Sequence, residues 1–185
     1  MRDLKGTGVA CVIFVLAAVA TAQIKSSVSG QTFRNENIGL TWTFPETFIA
    51  EAPDKLPRDP TGRDQFILAL WNKHRKTPVP PVVFLWDTKI TPSTLSPFVT
   101  AQRYLQSLKP GEGFKLSKPT ELSISGFTAL RMNYSRPDDA GQSYNSAIAV
   151  PLRDRTLLFI QMNALSQHEL DSLVDSLRAL RFEAK

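Results

Sequence analysis

Along most of this chain apolar and polar residues alternate with the period of a β-strand, and in two places they switch to helical spacing. Thr32–Asn35 and Leu40–Phe44 alternate, with Leu40, Trp42 and Phe44 on one side and Thr41 and Thr43 on the other. A turn at 36–39 makes them a hairpin with one wet face, and Pro45, which has no amide to donate, ends the second strand. Phe66–Trp71 and Val82–Trp86 are nearly continuous apolar runs, as expected of central strands covered on both faces. Thr120–Ile124, Phe127–Ser135, Ser143–Leu152 and Thr156–Asn163 then predict an antiparallel meander. Its links are the tight Ser125-Gly126 turn, the proline, aspartates and glycine of 136–141, and Arg153-Asp154-Arg155.

The helical stretches carry their own punctuation. Ser96-Pro97 pairs a capping hydroxyl with a proline whose missing amide is harmless at the first helical position. The helix it opens should run to about Leu108, burying Phe98, Ala101, Leu105 and Leu108 while Gln102, Arg103 and Gln106 face outward; Lys109-Pro110-Gly111 stops it. Ser166 and Glu169 have capping-box spacing ahead of a second helix. Leu170, Leu173, Val174, Leu177 and Leu180 recur there on one stripe, with Glu169 and Asp171 at the positive end of the dipole and Arg178 and Arg181 at the negative end.

The N-terminus follows neither pattern. Arg2 and Lys5 precede an apolar run from Val9 to Ala20, and Ala20-Thr21-Ala22 offers small residues before Gln23. This is the layout of a secretory signal peptide over 1–22, cleaved near Ala22/Gln23. A membrane anchor needs about 20 apolar residues, more than this run contains. Cys11 lies near the start of the run, not just after it, so lipidation is not expected. The polar stretch 23–30 reads as a flexible lead and 31–185 as one domain, large enough to bury a proper core.

Cleavage at that point removes the only cysteine, so packing and hydrogen bonds alone must stabilise the mature chain. The full chain carries a formal charge of +5, and losing Arg2, Asp3 and Lys5 lowers it by one. So mild and dispersed a charge suits a soluble protein weakly drawn to anionic surfaces, and no nucleic-acid partner is expected.

Candidate chemistry is sparse. Two histidines exclude a histidine-rich metal site within one chain, and although His168-Glu169 opens like a zinc-protease helix, Ser172 occupies the place of the second histidine. There is no Gly-x-Ser-x-Gly elbow, phosphate loop or dinucleotide pattern, and Asp138-Asp139 reads as a turn. No catalytic residue, cofactor or metal is assigned. The densest charge cluster is Lys73-His74-Arg75-Lys76, between strands ending in Trp71 and Trp86. Those cations could steer an anion or polysaccharide onto a stacking indole, or form a solvated hairpin tip above two core tryptophans.

Three phrases, Asn37–Pro45, Ser125–Tyr134 and Leu157–Phe182, in this order of elements, resemble the Mog1/PsbP-like superfamily and its small exported bacterial relatives. The resemblance spans most of the mature chain. It implies an α+β fold, an αβα sandwich in which two main helices pack an antiparallel sheet of about six or more strands. It also implies a binding or assembly factor, with no catalytic residues to carry over. The expected function is a secreted or periplasmic, non-enzymatic module whose partner is a protein or envelope component, with no stable membrane anchor after cleavage. The alternative is a small-molecule-binding or hydrolytic protein with a site built from loops 53–64, 73–81 and 136–142.

Overall fold

The structure, a computed structural model, describes residues 25–58, 64–76, 80–87, 95–108, 113–138, 141–152 and 155–183. The signal peptide and its cleavage site, the Lys109-Pro110-Gly111 stop, Asp139 and the Arg153-Asp154 pair lie outside them. The strands are β1 (Ser26–Ser29), β2 (Thr32–Asn35), β3 (Leu40–Thr43), β4 (Phe48–Ala50), β5 (Asp64–Asn72), β6 (Val82–Asp87), β7 (Lys115–Leu116), β8 (Thr120–Ile124), β9 (Phe127–Asp138), β10 (Gly141–Pro151), β11 (Leu157–Ala164) and β12 (Arg181–Phe182). Helix α1 (Pro97–Ser107) precedes β7, and α2 (Gln167–Ser176) follows β11 and tightens into a 3-10 turn at Leu177–Ala179.

The strands form two antiparallel sheets. Eight build the larger, in the order β4-β5-β6-β11-β10-β9, with β7 and β8 sharing the outer side of β9; the smaller has the order β1-β2-β3-β12. Alternation along the central strands divides the core in two. Ala147, Ala149, Leu157 and Phe159 face α1 and meet its buried Ala101 and Leu105. Ile148, Val150, Leu158 and Ile160 point the other way, toward Leu170, Leu173, Val174, Leu177 and Leu180 and toward Phe33, Leu40 and Trp42 of the small sheet. The fold is therefore α+β with helices packed on sheets, as expected, except that α2 shares its layer with a second sheet.

Both helices start where their caps direct. The Ser96 hydroxyl accepts from the Val99 amide at 3.2 Å, and the Ser166 hydroxyl accepts from the Glu169 amide at 3.1 Å. The Glu169 carboxylate closes the capping box one residue early, accepting from the Leu165 amide at 3.0 Å.

Two expectations need correction. The lead over 23–30 is structured at 26–29, because buried Asn35 donates from its amide to the Ser26 hydroxyl at 2.9 Å, and β1 pairs β2 along its whole length. The turn over 136–142 is narrower: β9 runs to Asp138 and β10 starts at Gly141, the two being register partners. A proline there is tolerated near the end of a ladder, where a lost donor matters least.

Candidate functional site

Phe98, Gln102 and Gln106 follow one another every four residues and so share one side of α1. Across from them stands the outer hairpin of the large sheet, where Glu121 of β8 pairs Leu130 of β9 and Lys118-Pro119 leads into β8. The space between is an open groove of about 550 Å³. Leu130 is its buried floor, with Phe98 and Pro119 half-buried beside it, while Gln102, Gln106, Lys118 and Glu121 are exposed around the rim. Its size falls within the range of ligand sites, and its polar groups are two neutral amides and a pair of opposite charges.

The hairpin is rigidly built. Ser125 and Gly126 take φ values of 47° and 81°, the geometry of a two-residue turn matched to strand twist. The Ser125 hydroxyl also hydrogen-bonds the Leu180 carbonyl, tying the turn to the end of the second helical segment. Deeper along β9, Arg131 donates from Nε to Asn133 Oδ1 at 2.8 Å and Ser146 Oγ at 3.1 Å, and from Nη2 to Asp171 Oδ1 at 3.3 Å. That guanidinium fastens α2 to the sheet.

The members of the basic cluster are placed differently. Arg75 reaches α2 and pairs with Glu169, Nη2 to Oε1 at 3.0 Å and Nη1 to Oε2 at 3.5 Å, so one carboxylate both caps the helix and anchors the loop. Lys73, His74 and Lys76 are exposed. Neither are the tryptophans alike. Trp42 is fully buried, stacks on Phe84 at 5.1 Å and donates its indole N–H to the Ser176 carbonyl at 3.0 Å. Trp86 is buried and donates to Thr156 Oγ1 at 3.0 Å. Trp71, half-buried, donates to Glu51 Oε2 at 2.9 Å and is the most exposed of the three.

On the α1 side of the large sheet, Tyr134 accepts from Gln161 Nε2 at 3.1 Å. Burial pushes its phenol above the ordinary tyrosine range, and the Gln161 bond offsets part of that. The loops named as an alternative site separate. Those after Asn72 and Asp138 lie at one end of the sheet, whereas the 53–64 loop returns at the other, where Arg58 bridges Gln65. The length of β5, roughly 26 Å at 3.3 Å per residue, divides them. The groove was not foreseen as a site, since Gln102 and Gln106 read simply as an outward helical face. Pro119, just ahead of a strand, was its one local hint of a sheet edge.

No protein-family model matches the chain, and no curated protein does. Several solved structures are similar to it. Cyanobacterial PsbP (CyanoP) from Synechocystis sp. PCC 6803 matches with a TM-score of 0.50 at 9% identity, over 83% of this chain and 92% of that one. LpqN, described as involved in cell envelope biogenesis of Mycobacterium tuberculosis, matches at 0.48 and 15% identity, over 78% and 83%. TplEi, an immunity protein of the T6SS from Pseudomonas aeruginosa, matches at 0.43 and 13% identity over 74% of this chain; the match spans 54% of that protein's length. What the chain shares with cyanobacterial PsbP is the fold, a PsbP-like α+β architecture. Among the described residues no helix is long and apolar enough to cross a membrane.

Proposed function

We propose that this chain, with its PsbP/Mog1-like fold, is an exported, non-enzymatic binding or assembly module. The observation that carries the reading is the groove between α1 and β8: an open surface site whose rim offers amide and ionic contacts along the side of a sheet. Such a site suits the grip of a partner better than the enclosure of a small substrate, which needs most of its surface covered. The basic N-terminus, apolar run and small-residue site over 1–22 support export. Fold alone does not supply the partner.

The reading is tested in the expressing cell. N-terminal sequencing of the exported chain should begin at or near Gln23, and crosslinking in the envelope fraction should recover a discrete partner. A mature chain that retains Cys11 would remove export, and hydrolytic turnover without a recoverable partner would favour a hydrolase.

A further inference from the structure

The groove borders an open strand edge. In the β8–β9 hairpin the two-residue turn joins Ile124 to Phe127, the pair that closes the ladder. Bonded and non-bonded pairs alternate along an antiparallel ladder, so Leu122 and Thr120 also bond across to β9. Glu121 and Ser123 therefore turn their backbone N–H and C=O groups away from the sheet. No strand pairs that side of β8 among the described residues.

We propose that β8 accepts an extended polypeptide segment of a partner as an added strand, with a long basic side chain of that segment facing Glu121. This rests on the binding-module reading and names its partner class. Main-chain groups at an open edge are satisfied by another strand, which supplies the affinity, while side-chain contacts supply specificity. Residues opposite one another in a ladder share a face, so the segment's residue beside Glu121 points to the α1 side. From there an arginine or lysine meets the exposed Glu121 carboxylate, lays its methylenes across β8 toward Leu130, and reaches the amides of Gln102 and Gln106. An acidic residue in the same place would face the carboxylate with like charge, since Lys118, the rim's opposite charge, lies three residues back, before β8 begins.

The experiment uses the purified chain and a fluorescein-labelled nine-residue peptide of alternating threonine and valine with a central arginine. Saturable binding is expected, at least 10-fold weaker when glutamate replaces the arginine. Ser123→Pro removes an edge amide without taking a bond from β9, and Gln102→Trp fills the groove from an exposed helix position. Each should weaken binding at least 10-fold, the second guarding against a folding defect in the first. Glu121→Gln should weaken it severalfold and flatten its salt dependence. Amide exchange at Glu121 and Ser123 should slow in the complex.

Equal affinities for both peptides, or unchanged binding in both blocking variants, would overturn the assignment. So would a dimer of the chain that Ser123→Pro converts to monomer, because the edge would then belong to a second copy. Export is read from the mature N-terminus, so failure here removes the edge site and leaves that reading to its own test.

Discussion

At the scale of single residues, the fold depends on a few side chains whose partners are remote in sequence. Gly39, at φ +63°, shows why one position favours glycine. The Glu183 carbonyl would lie 3.0 Å from an added Cβ, and the Glu183 amide donates to the Gly39 carbonyl at 2.7 Å. Tyr134 ties the same logic to pH. Its folded pKa lies above the ordinary tyrosine value of 10.0, so its contribution to stability is present below pH 10 and lost as pH rises through the raised value. Tyr134→Phe should therefore flatten the alkaline arm of the stability curve, while losing about 1 kcal/mol near neutrality with the Gln161 bond. Denaturant midpoints measured from neutral to strongly alkaline pH test this; coincident alkaline arms would show that the phenol is not the group responsible.

At the scale of elements, α2 is where sequence and structure agree most closely. Its cap, its stripe and its buried face are all local, and Leu173 and Leu177 are 3% and 1% exposed. Leu173→Ala or Leu177→Ala should destabilise the chain by roughly 2–5 kcal/mol, and an unchanged thermal melt would refute the packing. The long strands were legible for the same reason, since their alternation reports burial directly. Strands β1, β4, β7 and β12 were not, because they lack the clear alternation that marks β2 and β3, and they exist through pairing partners elsewhere. Phe182, for instance, is a strand residue because Leu40 lies beside it. The candidate site was hidden in the same way: that β8 is an outer strand is a property of the order of the sheet, to which its own five residues contribute little.

At the scale of the whole molecule, the ion pair from Arg75 to Glu169 links the hairpin after β5 to the helical layer. Its side chains are 32% and 27% exposed, intermediate between a solvated surface pair and a buried one. Arg75→Gln should lower stability by about 1 kcal/mol, whereas Lys73→Gln together with Lys76→Gln should stay within about 0.5 kcal/mol of the parent. Equilibrium unfolding of both variants separates the structural cation from the solvent-facing ones. Equal losses would mean that the cluster acts together after all. If the loop meets an anionic surface, its exposed cations Lys73 and Lys76 provide the charge, with His74 beside them and Arg75 serving as the loop's anchor.

The small sheet sets a schedule for the chain. Its first three strands precede the fourth, β12, along the chain, and the Trp42 indole must wait for a carbonyl 134 residues later, at Ser176. Until then Leu40 and Trp42 lack the layer that buries them, and the β3 side of that sheet has no neighbour. A nascent chain interrupted before α2 would hold an uncovered indole and an open edge, the kind of surface that makes incomplete chains prone to aggregate. Closing the sheet therefore requires two distant parts of the polypeptide to be present together.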